Sequence, residues 1–275
     1  MIKFYDSISA LRAEAIKLGI ETSSSRYAGG PNSYSGLDWY NGENIADTLR
    51  KSAYGDPSLV PQAEAYINSF NKPIDSSRKV WEPAPAGAFP IVPDFCMGLP
   101  TSMRRRQTIV DDIAPINILV CTTSSAGIKA EILAKRGTAI LALVMMLSAS
   151  RPVTLRVIQT TDGTDNGETI LVSTINTSPL DLATACYALT SSGFDRRLSH
   201  FIAGELNHFK GGWPRGYNFM KNENNPYLTA LPERLGFNPL DTLLVSPTYL
   251  TDTLVTAPLD WIQTQLDRFT KQNET

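Results

Sequence analysis

The residues with the most chemistry per unit length stand together. Thr122, Thr123, Ser124 and Ser125 form a row of hydroxyls directly after the apolar run Ile116–Cys121. In open α/β sheets the carboxyl end of a strand is where sites are built. The row has two readings. Its oxygens can face a partner or ligand, joined by Asp162 and Asp165 of the acidic loop TTDGTDNGE at 160–168. Alternatively, they cap the helix that begins near Ile128. A nucleophile–histidine–acid set can also be drawn from Ser124, His200 and an aspartate, which would make a hydrolase. The chain has two histidines, His200 and His208, eight residues apart. On one predicted helix they stand about 12 Å apart along the axis, too far to share a metal ion. The sequence has no Walker loop, no GxSxG and no HExxH. The expectation is a protein that is not an enzyme and uses neither a cofactor nor a metal.

The second group is cationic. Arg104, Arg105 and Arg106 are the one dense positive run, and such a run can contact phosphates. With Arg151, Arg196 and Arg197, and with Tyr34, Trp39 and Tyr40 as a stacking surface, it makes single-stranded nucleic-acid binding the alternative function. That would suit a cofactor of transcription or replication. The competing reading pairs the arginines with Asp111 and Asp112 and packs the aromatic residues on the core.

These residues need elements to hold them. The 275 residues suffice for one large domain or two small ones, and a chain of this size needs no disulfide for stability. A net charge of −2 with 19% charged residues argues against coating nucleic acid by bulk charge. Cys96, Cys121 and Cys186 lack metal-ligand spacing, and free thiols are expected. The amino terminus has no apolar h-region, and no run approaches the ~18 apolar residues of a membrane span. A cytoplasmic location is expected, with no membrane contact.

The patterning predicts helices at Ile8–Leu18, Asn44–Ser52 and Pro57–Phe70, then an irregular, proline-rich strap, Asn71–Pro93, with five prolines. Phe95, Met97, Leu99, Pro100 and Met103 read as the strap's anchor. Ile116–Cys121 reads as a buried strand, Lys129–Leu147 as a crossover helix and Val153–Gln159 as the next strand. Thr169–Ile175 is a third strand, and helices follow at Ser178–Ser191 and Phe194–Phe209. Leu243–Ser246 is a short strand, and Pro258–Phe269 closes the chain as an amphipathic helix. The fold class is α/β: a three-layer, mostly parallel sheet, von Willebrand factor A-like or Rossmann-like, at 105–275, with a helical amino-terminal section and strap at 1–104.

Several stretches resemble a family of tailed-bacteriophage proteins. They are Gly87–Met103, with Gly98-Leu99-Pro100-Thr101-Ser102-Met103; Ser124–Ile158, with Lys135-Arg136-Gly137; and Leu180–Leu198. Trp39-Tyr40-Asn41-Gly42 is also similar, so the resemblance runs over roughly residues 35 to 205. It implies a divergent von Willebrand factor A core. In such domains an Asp-x-Ser-x-Ser pattern holds a divalent cation through hard oxygen ligands. Here Thr123 and Ser125 occupy the two hydroxyl positions and Cys121 stands in place of the aspartate, so the metal site is degenerate. The implied function is that of an intracellular phage accessory protein, an adaptor or assembly factor in the host cytoplasm. Its partner would be a protein, in some phages an AAA+ ATPase, docked on Thr122–Ser125 and the acidic loop.

Overall fold

The structure is a computed structural model that describes residues 1–22, 42–70, 77–110, 115–124, 127–149, 151–163, 167–206, 229–247 and 253–271. In chain order the elements are β1 (Ile2–Tyr5), α1 (Ile8–Lys17), α2 (Ile45–Tyr54), α3 (Val60–Asn68), β2 (Ser77–Ala84), β3 (Phe89–Pro90), α4 (Val92–Cys96), β4 (Met103–Val110) and β5 (Ile116–Cys121). Then come α5 (Ala130–Ser148), β6 (Val153–Gly163), β7 (Gly167–Ile175), α6 (Leu182–Thr190), a π-helical turn (Phe194–Ser199), α7 (His200–Leu206), α8 (Leu231–Arg234), β8 (Thr242–Val245), α9 (Thr253–Thr256) and α10 (Pro258–Lys271). They form two units: Met1–Asn71 with Pro115–Thr275, and Lys72–Ala114.

The larger unit is an α/β domain around a five-stranded sheet of order β1-β7-β6-β5-β8. The pairings β1–β7, β5–β6 and β5–β8 are parallel, while β6–β7 is an antiparallel hairpin. β5 is central because its sequence is apolar on both faces, and all its residues except Asn117 are buried. The chain leaves β5 through α5 to β6 on one side and returns later to β8 on the other. The carboxyl end of β5 is therefore the point where the strand order reverses, the preferred place for a site in open α/β sheets.

The crossover helix α5 is buried through Ala139–Val144 without a break, so it is an interior helix rather than one with a single apolar stripe. Gly137 marks its crossing with α6: a Cβ there would lie 2.1 Å from the Leu189 carbonyl oxygen. On the sheet, Leu119, Ile158, Ile170 and Val172 pack with Leu231 and Leu235 of the α8 segment. Each such fully buried aliphatic side chain contributes on the order of 1.5–3 kcal/mol.

Helix caps follow the expected chemistry. The Ser7 hydroxyl accepts from the Ala10 N–H, and Asn44 forms a capping box with Asp47. The Glu43 carboxylate is buried beneath α2. It accepts from the Thr48, Tyr187 and Ser191 hydroxyls and pairs with Lys51 at 3.2 Å. Burial pushes the Tyr187 phenol well above its ordinary value, helped by the Glu43 carboxylate.

Several expectations change. The amino-terminal section is not purely helical, because Ile2–Tyr5 adds a parallel edge strand with Ile2 opposite Ile170. Four residues are too few for an alternation to be read. The acidic loop is largely strand: β6 and β7 pair as far as Asp162 opposite Glu168 and Gly163 opposite Gly167. The helix expected from Ser178 begins at Leu182, with the Asp181 side chain accepting from the Thr184 N–H. The helix expected from Pro57 begins at Val60.

The smaller unit replaces the irregular strap with an antiparallel sheet of order β2-β4-β3. Pro83 sits in β2, an edge strand, where a missing N–H is tolerated. The expected division at 104/105 falls inside β4. Phe95, Met97 and Leu99, expected as an anchor, are exposed.

Candidate functional site

The hydroxyl row does stand at the carboxyl end of β5, but Thr122 and Thr123 are turned to the sheet. The Thr122 hydroxyl donates to the Ile158 carbonyl at 3.3 Å. The Thr123 hydroxyl donates to the Thr160 carbonyl at 3.3 Å and accepts from the Thr160 N–H at 3.0 Å. Both threonines are buried. They extend the β5–β6 pairing by one side-chain step beyond the last backbone partners.

Ser124 does something else. Its hydroxyl donates to Asp195 Oδ2 at 2.8 Å, and Gln159 Nε2 donates to Asp195 Oδ1 at 3.0 Å. Asp195 arrives from the π-helical turn, with every residue from Phe194 to Ser199 buried. Single-turn π-helical segments recur at functional sites. The wider turn sets the His200 N–H on the Asp195 carbonyl, five residues back.

Two guanidinium groups balance this carboxylate. Arg136 of α5 is buried and donates to the Cys121 carbonyl at 3.1 Å and to the Ser246 carbonyl, so it bridges the ends of β5 and β8 across the strand-order reversal. Arg196 is buried and donates to the Ile128 carbonyl. Burial pushes the Asp195 carboxyl up to about 6, with Arg196, the Ser124 hydrogen bond and Arg136 acting against the rise. Burial and the Arg196 charge push His200 down to about 4. Burial also raises the Cys121 thiol. Cys121 and Cys186 are buried free thiols, and Cys96 is exposed.

The expected residues divide as follows. Thr122, Thr123 and Ser124 meet at the strand end; Ser125 and Asp165 lie outside the described residues, and Asp162 is described by its backbone alone. The remaining acid of that loop, Glu168, pairs with Arg234 at 2.7 Å rather than with the strand end. Ser124 meets a carboxylate directly, without the imidazole that the hydrolase reading places between them. Among the described residues no group of three or more His, Cys, Asp or Glu is placed to hold a metal. No described helix is long and apolar enough to cross a membrane.

The cationic set is split. Arg196 and Arg197 are buried, and the Arg197 Nε–H donates to the Glu43 carbonyl at 3.0 Å, so neither can meet a nucleic acid. Arg105 pairs with Glu82 at 2.7 Å. Arg104 is exposed, and Arg106 is described by its backbone alone. Tyr34, Trp39, Tyr40, Asp111, Asp112 and His208 lie outside the described residues.

Asp195, Gln159 and Arg136 were missed by reading motifs. Their signal was present in another form. Arg136 stands just before the long apolar part of its helix, Ala139–Leu147, and Asp195-Arg196-Arg197 sits between Phe194 and Leu198. Charges inside an apolar helical pattern are buried only when they are paired or hydrogen-bonded, so they point to a partner elsewhere in the chain.

A family model described as Domain of unknown function (DUF7192) matches residues 1–231. No curated protein and no solved structure matches the chain.

Proposed function

The chain belongs to the DUF7192 family, and we propose that it acts as a non-enzymatic adaptor or assembly factor of a tailed bacteriophage inside the host cell. Its α/β unit is a divergent von Willebrand factor A-like scaffold. What supports that core is the hydroxyl row at the carboxyl end of the central strand, at the strand-order reversal, followed by a buried crossover helix. Asp195 brings Ser124 the carboxylate that its own strand lacks. Arg136 and Arg196 supply the positive charge that a divalent cation would bring to an Asp-x-Ser-x-Ser site. The strand end is thus closed on itself.

One contrast carries the adaptor reading. The Thr122, Thr123 and Ser124 hydroxyls of the strand end are hydrogen-bonded within the fold, while Val92, Phe95, Met97 and Leu99 of the smaller unit are each between 45% and 66% exposed. Four large apolar side chains left in water within eight residues suit a protein contact. The partner surface therefore moves from Thr122–Ser125 to Val92–Leu99. The partner class is an AAA+ ATPase encoded in the same genome. The test is co-elution of the purified ATPase with this chain, and its loss on the double change Phe95→Ser and Met97→Ser. Co-elution unaffected by that double change counts against the surface, and no co-elution with such an ATPase counts against the partner.

A further inference from the structure

The smaller unit carries a second surface whose chemistry differs from that of Val92–Leu99. Antiparallel register places direct cross-strand partners on one face of a sheet. On β2 and β4 the partners Glu82–Arg105 and Ala84–Met103 occupy one face, and Glu82 and Arg105 close an ion pair there. Trp81 and the partners Pro83–Arg104 occupy the other. β3 adds Phe89 directly opposite Arg104. Glu82 is the sole carboxylate among the residues of the three strands, and it belongs to the first face.

The second face thus sets the guanidinium-bearing Arg104 beside two aromatic rings, with no acid among the strand residues of that face. Trp81 is 42% exposed and Phe89 58% exposed. Their ring centroids stand 5.2 Å apart with the planes at 65°, one ring edge toward the other. They come from strands on either side of β4, so the pair spans the central strand beside the exposed Arg104. The approach of the β3 segment to β4 depends on Gly87: a Cβ there would lie 2.1 Å from the Arg104 carbonyl oxygen. The Ala88 N–H donates to that same carbonyl at 2.8 Å.

We infer that this face binds single-stranded nucleic acid, with bases stacked on Trp81 and Phe89 and the phosphodiester backbone held by Arg104. Exposed aromatic rings on a sheet, flanked by a guanidinium group, match both halves of a nucleotide: the π-face of the base and the charge of the phosphate. A protein partner would have to place a carboxylate opposite Arg104, whereas a nucleic acid carries the complementary charge on every nucleotide. Stacking is indifferent to base identity, so the binding is of low sequence preference. The duplex is disfavoured because its bases are already stacked and paired. The inference goes beyond the adaptor reading and stands apart from it, since Phe89 and Arg104 lie outside Val92–Leu99.

The experiment is fluorescence anisotropy of the full chain with labelled oligo-dT and oligo-U of about 20 nucleotides, a length that exceeds one binding footprint, and with a matched duplex. The wild type is expected to bind a single strand in preference to the duplex. Phe89→Ala and Arg104→Glu each weaken binding roughly tenfold or more, and Arg104→Glu lowers the salt slope by about 1. Arg105→Glu, on the opposite face, changes affinity by less than about threefold, the margin that separates a local contact from a diffuse field. Circular dichroism checks that each variant is folded. A preference for oligo-dT or for oligo-U identifies the strand as DNA or RNA, and either supports the inference. Absence of binding at low salt overturns it, as does equal binding of the duplex or an equal effect of Arg104→Glu and Arg105→Glu. Self-association lost on Phe89→Ala, without oligonucleotide binding, would assign the face to a second copy of the chain and overturn it as well.

Discussion

The Ser124 hydroxyl donates a 2.8 Å hydrogen bond to the carboxylate of Asp195, 71 residues further along the chain. This bond joins the end of the central strand to the π-helical turn, and Gln159 of the neighbouring strand fixes the other carboxylate oxygen. A carboxylate held in this way, fully buried, with its charge answered by Arg196 and Arg136, is a coupling point between sheet and helices.

Asp195 gives the protein a measurable pH signature. Its folded pKa, about 6, lies above its ordinary value of 3.8. The folded state therefore holds that proton more tightly, and the resulting stability is present below the ordinary value and lost as pH rises through about 6. Asp195→Asn removes this dependence. Relative to the wild type, the variant should gain about 2–3 kcal/mol between pH 4 and pH 7, read from urea denaturation at each pH. A constant offset between the two proteins across that range would contradict the assignment.

His200 works in the opposite direction. Its folded pKa, about 4, lies below its ordinary value of 6.5. Its stability contribution is present above 6.5 and is lost as pH falls through about 4. His200→Gln should therefore gain stability relative to the wild type on going from pH 7 to pH 4. The wild-type curve, in which the two slopes oppose each other, should be flatter than that of either variant. Titration of the His200 ring by NMR near its ordinary value would refute this.

Arg136 closes the junction of β5 and β8 by donating to one carbonyl from each end. Arg136→Met keeps the aliphatic stem and removes the donors and the charge. A loss of about 2–4 kcal/mol is expected, with faster hydrogen exchange in β8 and a further rise of the Asp195 pKa. Unchanged exchange in Thr242–Val245 would show that the bridge does not hold β8.

Gly137→Ala tests the crossing of α5 and α6. The added Cβ meets backbone, the Leu189 carbonyl, and backbone cannot swing aside. The cost should be about 1–3 kcal/mol or more, although alanine is the better helix former. An increase in melting temperature would show that the two helices can separate without penalty.

The sequence made β5, α5 and the hairpin strands legible because each carries a long apolar pattern. Ile116–Cys121 coincides with its strand to the residue, and Lys129–Leu147 differs from its helix by one residue at each end. The larger unit is α/β with a mostly parallel sheet, as the alternation of strands and helices implied. β1 was not legible: four residues with one buried position give no periodicity. β2 was hidden by Pro83, which reads as a strand breaker until the strand is known to lie at an edge. At the strand end, the position of Thr122–Ser124 was legible but the destination of their hydroxyls was not. Caps, sheet extensions and ligand oxygens use the same residue types, and which one wins depends on a partner such as Asp195 that is remote in sequence. The arginine run was legible as charge, but only strand register separates Arg105, paired with Glu82, from Arg104 on the other face.

The central claim is that this chain works through its smaller unit while the strand end of the larger one is scaffold. Under the proposed phage adaptor role, the most direct measurement is quantitative affinity capture from phage-infected cells with three proteins: the wild type, Ser124→Ala, and the double variant Phe95→Ser with Met97→Ser. The account predicts that one defined protein is recovered equally by the wild type and by Ser124→Ala, and is lost with the double variant. Loss of that protein with Ser124→Ala, and its retention by the double variant, would return the working surface to the end of β5 and contradict the account.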